Sequence, residues 1–193
     1  CSSIGISGRG SWIEGSNCVF VNCGDYCGAF SLGGKYSFKH CTFGNYSPNG
    51  IDKAAVVLNN WFEDNNRNII PRDLETADFT NCIIYGAQEN ELLLSKVDEA
   101  TFNHHFKNCL IKVNTNDVDT ESPNFVNCAV NENPDFKDIY FHDFNLNENS
   151  SAINLGDVSE VNSDLINLEF DLNNTSRTND GKPDAGAYEY LAE

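Results

Sequence analysis

Basic residues are scarce in this sequence, which contains 12 lysines and arginines against 29 aspartates and glutamates and has a net charge of −17. Nucleic acids and anionic membrane surfaces are bound through clusters of Lys and Arg. We therefore expect neither of them as a partner. An acidic surface of this kind is typical of a soluble protein and leaves cation binding open.

Several other features are missing. Long apolar runs and long segments of helical periodicity are absent, and the sequence therefore predicts no membrane-spanning helix. A Cys-x-x-Cys motif is absent and the histidines lack ligand spacing, so we expect no zinc site. Glutamine occurs once, at Gln88, whereas asparagine occurs 28 times. Because Asn is favoured at turns for its effect on the local backbone, this bias indicates a chain with many bends.

A short motif recurs along the first two thirds of the sequence. It consists of Asn or His, then Cys, any residue, and an apolar residue, and its five copies begin at Asn17, His40, Asn81, Asn108 and Asn127. In the last four copies a phenylalanine stands two places earlier, at Phe38, Phe79, Phe106 and Phe125. The copies start 23, 41, 27 and 19 residues apart, and spacings of this size are typical of repeat architectures.

Each copy of the motif predicts a strand, a one-residue corner and a second strand. The apolar pieces are too short for helices, and Asn tolerates the left-handed backbone conformation of a sharp bend. Repetition of this unit predicts an all-β fold, a parallel β-helix. Equivalent side chains of successive turns should then stack, with Phe and Cys columns inside and a hydrogen-bonded Asn ladder at the corners, which includes His40.

The cysteines of the motif are expected to be free thiols. Five of the eight cysteines occupy the same repeat position, where a buried Cys acts as a small apolar residue. Stacked side chains run parallel, which is poor geometry for a disulfide. Cys23 and Cys27 are the one pair that we suspect of bridging.

We expect a single domain over residues 1–193. Residues 1–130 form the coils, with a long loop at 59–78, and residues 131–193 form an irregular C-terminal cap that closes the open end of the solenoid. Strands at Tyr26–Leu32, Ala54–Asn60 and Glu91–Lys96 are expected to form one parallel sheet. A short helix over Glu91–Ala100 is the alternative for the last of them.

Three groups of residues carry a resemblance to a known family. They are the Phe-x-Asn-Cys repeats, the turn Gly33-Gly34-Lys35-Tyr36 that leads to Phe38-Lys39-His40-Cys41-Thr42-Phe43, and the tail motifs Ser151-Ala152-Ile153-Asn154 and Pro183-Asp184-Ala185-Gly186-Ala187-Tyr188-Glu189. Over nearly its whole length the chain resembles secreted bacterial right-handed parallel β-helix proteins of the pectin-lyase-like group, which implies the same right-handed fold. The resemblance implies an extracellular or cell-surface location. It also implies a polysaccharide or glycan as the partner, because members of known activity mostly cleave or bind polysaccharides.

The resemblance also directs attention to candidate site residues. Lyases of this group have a groove along one parallel sheet, with calcium-holding carboxylates and a Lys or Arg as base. At the margins of the predicted sheet the catalytic candidates are Asp25, Lys35 and Glu91. Hydrolases need convergent carboxylates, and no such cluster is predicted to stack.

Two further groups are candidates for binding. Trp12, Tyr26 and Trp61 offer flat apolar faces for sugar stacking, with partial burial under a loop as the alternative. Asp171, Asn173, Asp180 and Asp184 carry oxygen ligands suited to Ca²⁺, with an Asn- and Asp-rich capping turn as the alternative. Apart from Ca²⁺ we expect no cofactor.

Three functions remain open at this point. The first is a non-catalytic extracellular domain that contacts carbohydrate, the second is a polysaccharide lyase or glycoside hydrolase, and the third is a structural adhesin stalk. We also expect N-terminal coils of a longer chain to precede Cys1. The alternative is that Cys1 is the lipid-bearing first residue of a mature lipoprotein.

Overall fold

The computed structural model describes residues 3–47, 53–163 and 166–192. Cys1, considered above as a lipid-bearing residue, lies outside them. In chain order the strands are β1 (Ile6–Ser16), β2 (Val19–Val21), β3 (Gly28–Lys39), β4 (Thr42–Asn45), β5 (Val56–Asn59), β6 (Trp61–Glu63), β7 (Ile69–Pro71), β8 (Leu74–Thr80), β9 (Ile83–Gly86), β10 (Leu92–Ser95), β11 (His105–Lys107), β12 (Leu110–Ile111), β13 (Phe125–Val126), β14 (Ala129–Val130), β15 (Phe136–Asp138), β16 (Asp143–Leu146), β17 (Asn162–Ser163) and β18 (Ile166–Asn167).

Two parallel sheets make up most of the fold. The larger follows the order β10-β5-β3-β8-β11-β13, with β1 also pairing with β3, and the smaller follows the order β14-β12-β9-β4-β2. Antiparallel pairing is confined to the small pairs β6–β7, β15–β16 and β17–β18 among the described strands. The described residues contain a 3-10 helix at Val158–Glu160 but no α-helix, and thus none that is long and apolar enough to cross a membrane. The prediction of an all-β fold with parallel strands is confirmed.

The five predicted corners all adopt the left-handed conformation. Their φ angles lie between 49° and 53°, at Asn17, His40, Asn81, Asn108 and Asn127. Each corner residue stands between a strand of the larger sheet and the next strand of the smaller sheet. Residues other than Gly seldom adopt this conformation, and Asn is among those that do so most readily. The choice of Asn at these positions therefore has a backbone cause.

Equivalent side chains of successive repeats stack inside the molecule. The rings of Phe38, Phe79, Phe106 and Phe125 form a file with centroid separations of 5.3, 5.1 and 5.0 Å and interplanar angles of 15–23°. The motif cysteines form a second file. The residue after each of the last four donates its amide to the carbonyl of the preceding motif cysteine at 2.9 Å. All five are free thiols, as predicted. The suspected bridge between Cys23 and Cys27 is wrong, because both are free thiols and are buried.

The corner side chains differ from the predicted Asn ladder. One ladder bond forms, because the Asn81 amide donates to Nε2 of His40 at 2.9 Å. Asn17 and Asn108 instead donate to backbone carbonyls of residues 170 and 155, both at 2.9 Å. The corner side chains therefore bond mainly to the C-terminal part of the chain and less to one another.

The C-terminal part, predicted to be a cap, lies against the outer face of the smaller sheet, which is the face that points away from the Phe and Cys files. Apolar residues of this part pack on Ile83 of β9 and Leu110 of β12, and they include Phe136, Phe144, Leu146, Ala152 and Ala185. Neighbouring residues on a strand point to opposite faces, and both residues of the pairs Ile83-Ile84 and Leu110-Ile111 are buried. A sheet that is apolar on both faces must be covered on both.

Two local expectations differ from the structure. The predicted turn at Gly33-Gly34-Lys35 lies inside the single long strand β3, which bends where Leu32, Gly33 and Gly34 have positive φ. The predicted loop at 59–78 contains the β6–β7 hairpin and the beginning of β8. By contrast, β3, β5 and β10 are neighbours in one parallel sheet, as predicted, and the alternative helix over Glu91–Ala100 is wrong, because Leu92–Ser95 is a strand.

The corner at Asn127 offers a test of the backbone argument, because its side chain is exposed and its φ is 51°. We predict that Asn127→Ala lowers the free energy of unfolding by about 1–2 kcal/mol, since Ala disfavours the left-handed conformation. Asn127→Gly, the matched control, should cost clearly less, since Gly adopts positive φ readily. Urea unfolding followed by circular dichroism measures both values. Equal losses in the two variants would contradict a backbone role.

Candidate functional site

Part of the larger sheet presents one face to solvent. On β1, β3, β8 and β11, alternate residues such as Tyr36 and Phe79 point into the core, so their neighbours point outward. The register places these outward residues in three rows, which together we call the exposed face. The rows are Trp12 with Lys35 and Thr76; Glu14 with Ser37, Asp78 and His105; and Ser16 with Lys39, Thr80 and Lys107.

The first row carries the most exposed tryptophan. Trp12 is 73% exposed, and its Nε1 donates to Oε1 of Glu14 at 3.1 Å. Beside it, Nζ of Lys35 lies 2.9 Å from Oε2 of Glu75, and both of these side chains are about half exposed. The indole ring therefore stands open to solvent among groups that donate and accept hydrogen bonds.

The second row contains a carboxylate with two partners. Oδ1 of Asp78 lies 3.0 Å from Nδ1 of His105, and its Oδ2 accepts from the Thr76 hydroxyl at 2.8 Å. A hydrogen bond at Nδ1 fixes the proton there in the neutral ring and leaves Nε2 as an acceptor. Asp78 thus orients an imidazole on the open sheet.

The two lysines of the third row form ion pairs with carboxylates of the segment around the 3-10 helix. Nζ of Lys107 lies 2.6 Å from Oδ2 of Asp157, and Nζ of Lys39 lies 2.7 Å from Oε2 of Glu160. The hydrogen bond from Lys107 lowers the pKa of Asp157 to about 2, and the same bond raises the pKa of Lys107. These ion pairs tie the C-terminal segment to one margin of the exposed face.

The three predicted catalytic residues have separate partners. Asp25 accepts from Lys53 at 2.6 Å and from Ser3, and these bonds lower its pKa. Lys35 alone belongs to the exposed face. Glu91 is buried and has a structural role, which is described next. The structure does not bring the three together into one hydrogen-bonded centre.

Glu91 holds two neighbouring segments in place. Its Oε2 accepts from the amide of Ala55 at 2.8 Å and from the side chain of Asn45 at 3.1 Å, and its Oε1 accepts from the amide of Gln88 at 2.7 Å. The residue is fully buried, and burial raises its pKa to about 7 despite these donors. The carboxyl group thus satisfies backbone groups that would otherwise be buried without partners.

The predicted aromatic platform is reduced to one open ring. Trp12 is exposed, whereas Tyr26 is half-buried with Nζ of Lys53 located 5.2 Å from its ring centroid. Trp61 is also half-buried, and its Nε1 donates to the hydroxyl of Ser95 at 3.1 Å. Trp12 is therefore the member of this group best placed for stacking.

The predicted calcium ligands act mainly as backbone acceptors. Asp171 accepts from the amides of residues 173, 175 and 189 at 2.7–2.8 Å, and Asp184 accepts from those of residues 154 and 190 at 2.7 and 2.6 Å. Asn173 and Asp180 are exposed. Within the described ranges no group of three or more His, Cys, Asp or Glu side chains is suitable to hold a metal ion. The arrangement matches the capping-turn alternative.

A buried ion pair near the C-terminus was not predicted from the sequence. Arg177 is fully buried and donates to Glu189, to Oδ1 of Asn17 at 2.8 Å and to the carbonyl of Ala187 at 3.3 Å. Burial raises the pKa of Glu189 to about 8, although Arg177 opposes this shift. The pair fixes the tail against the first corner and is a structural feature rather than a reactive site.

Glu14, Asp78 and His105 were also missed as site residues. The turn predicted at residues 33–35 places the candidate groove on the first half of β3. The continuous strand instead extends the sheet and aligns these three residues in one row. Alternation of polar and apolar residues over Tyr36–Lys39 and Ala77–Thr80 was the available signal.

No family model, curated protein or solved structure matches this chain. Its function therefore has to be inferred from the chemistry of its own residues.

Glu91 makes the stability of the protein depend on pH. Its pKa is about 7 in the folded chain and takes an ordinary value of about 4.3 when unfolded. A raised pKa means that the folded state binds more protons than the unfolded state. The contribution of this protonation to the free energy of unfolding is therefore complete below about pH 4 and is lost as the pH rises through 7. We predict that wild-type stability falls relative to Glu91→Gln by about 1–3 kcal/mol between pH 4 and 8.

Urea unfolding of both proteins at several pH values measures this difference. Taking the difference removes the contributions of Asp184 and Glu189, which the two proteins share. Glu75→Gln is the matched control, since it removes a half-exposed carboxylate and should change stability by at most ~0.5 kcal/mol. A difference between wild type and Glu91→Gln that stays constant with pH would contradict the assignment.

Proposed function

We propose that this chain is a right-handed parallel β-helix domain of a secreted or cell-surface bacterial protein, and that its exposed face contacts carbohydrate without cleaving it. The β-helix is supported by strands that alternate between two parallel sheets, joined at left-handed corners and paired in register. Right-handedness follows the general rule for crossovers between parallel strands.

The open indole ring of Trp12 is the observation that carries the proposal for binding. A sugar ring has an apolar face that packs on an aromatic ring, and its hydroxyl groups need donors and acceptors at the margin. Glu14, Lys35 and Glu75 supply such groups beside Trp12, and Asp78 and His105 supply them in the second row. These groups sit at fixed register positions on paired strands, which limits the entropy lost on binding.

The shape of the exposed face favours an extended chain as the ligand. Three strand spacings separate β1 from β11, which corresponds to about 14 Å. The exposed face is an open surface with three rows of side chains, and it does not surround a single sugar unit as a pocket would. We therefore propose a polysaccharide that lies across the strands, with Trp12 under one of its units.

Cleavage of a polysaccharide is the second candidate function, and one observation favours it. Glu14 and Asp78 occupy the same row two strands apart, which places their backbones about 10 Å from each other. Inverting glycoside hydrolases hold two carboxyl groups about 6.5–9.5 Å apart. However, Glu14 is bonded to Trp12, and the described residues form no enclosed site over this row that would exclude water. We therefore retain binding as the proposal.

The role of Trp12 is tested by glycan-array screening followed by titration with the best ligand. We predict that Trp12→Ala weakens binding about three- to tenfold, since a stacking contact contributes roughly 0.5–1.5 kcal/mol. Tyr140→Ala is the matched control, because this aromatic side chain is 84% exposed in the C-terminal segment, and it should leave affinity unchanged. Equal binding by both variants would contradict the proposal, and failure of the wild type to bind any glycan would favour a structural stalk.

The same ligand distinguishes binding from cleavage. We expect no new reducing ends or unsaturated products after long incubation with the wild-type protein. Release of products that is abolished by Glu14→Gln or Asp78→Asn would replace our proposal with the hydrolase alternative.

A further inference from the structure

A cleft of about 460 Å³ lies between the end of β10 and the loop that precedes β13. None of the residues in the three rows of the exposed face lines it. Small-molecule sites in proteins commonly have volumes of about 300–1,000 Å³. The cleft is therefore large enough for a small ligand, and it is separate from the site proposed above.

Aromatic rings form one wall of the cleft. The ring of His104 lies 5.2 Å from that of Phe102 and 6.3 Å from that of Phe125, measured between centroids, and all three residues line the cleft. Leu94 and Val118 add apolar side chains to the lining. A ring-shaped ligand can therefore pack one face against it.

His104 is held as a neutral ring. Its Nδ1 lies 3.3 Å from the carbonyl oxygen of Phe102 and its Nε2 lies 3.3 Å from the Asn124 amide, which fits a donor at Nδ1 and an acceptor at Nε2. Burial lowers the pKa of His104, which also favours the neutral form. The histidine thus contributes an aromatic face and no positive charge near neutral pH.

The lining of the cleft also contains acidic and polar side chains. Asp98, Asp117 and Asp119 line the cleft, together with the polar side chains of Ser122 and Asn124. Lys96, the one cationic residue in the lining, already lies 3.4 Å from Oδ1 of Asp98. Two carboxylates, those of Asp117 and Asp119, remain without a cationic partner among the described residues, and these side chains are not part of any group suitable to hold a metal ion.

We propose that this cleft binds a cationic sugar unit, that is, a sugar ring carrying a protonated amine. The aromatic wall packs against the ring, Ser122 and Asn124 bond to hydroxyl groups, and Asp117 and Asp119 attract the ammonium group. A neutral sugar would leave the carboxylates without a counter-charge, and an anionic sugar would be repelled. This proposal does not require that the exposed face binds carbohydrate.

Titration calorimetry at low ionic strength tests the proposal with glucosamine, N-acetylglucosamine and cyclohexylamine as probes. We expect glucosamine to bind most tightly, because it alone combines the amine with the hydroxyl groups. The double variant Asp117→Asn/Asp119→Asn should weaken glucosamine binding about tenfold, which corresponds to about 1.4 kcal/mol. The double variant Glu132→Gln/Glu148→Gln removes the same charge from exposed positions outside this cleft and should leave binding unchanged.

Several results would overturn the proposal. N-acetylglucosamine binding as tightly as glucosamine would show that the amine is not recognised, and cyclohexylamine binding as tightly would show that the hydroxyl groups are not. An equal loss in the two double variants would show a general effect of net charge. Trp12→Ala should leave glucosamine binding unchanged, and a loss in that variant would place the site on the exposed face instead.

Discussion

The fold depends on one backbone conformation, the left-handed turn at the Asn or His of each repeat. All five such corners have φ within a few degrees of 50°, and each joins a strand of the larger sheet to a strand of the smaller one. Because the bend is the same every time, the strands of successive repeats pair in register. Stacked Phe and Cys files in the core follow from that register, since equivalent side chains then lie over one another.

The same corner residues also position the C-terminal part of the chain. Asn81 exchanges hydrogen bonds with the backbone of Asp157, Asn108 donates to the carbonyl of Leu155, and Asn17 accepts from Arg177. A side chain that stands at the outer edge of each corner is free to bond to whatever covers the smaller sheet. Burial of the apolar outer face of that sheet stabilises the packing of the C-terminal part. The hydrogen bonds from the corner asparagines fix its position along the sheet.

The sequence alone was sufficient to predict the local structure of the repeats, whereas it did not predict where the C-terminal part packs. The corners, the free thiols and the stacked Phe and Cys files all follow from a repeated motif whose residues have local causes. The position of the C-terminal part does not, because it depends on contacts such as Arg177 with Asn17, which are 160 residues apart. Two adjacent glycines at 33 and 34 suggested a turn, but pairing with β1 and β8 keeps β3 continuous. The row that contains Asp78 and His105 was missed for that reason.

The central claim is that left-handed corners place successive repeats side by side in register. Nuclear Overhauser effects in the isotopically labelled protein test it most directly, at the strands that follow the cysteines. The account predicts contacts that link Ile83 with Leu110 and Leu110 with Ala129, in the parallel pattern given by the register. Contacts that are shifted by one residue, that follow an antiparallel pattern, or that are absent between these strands would contradict it.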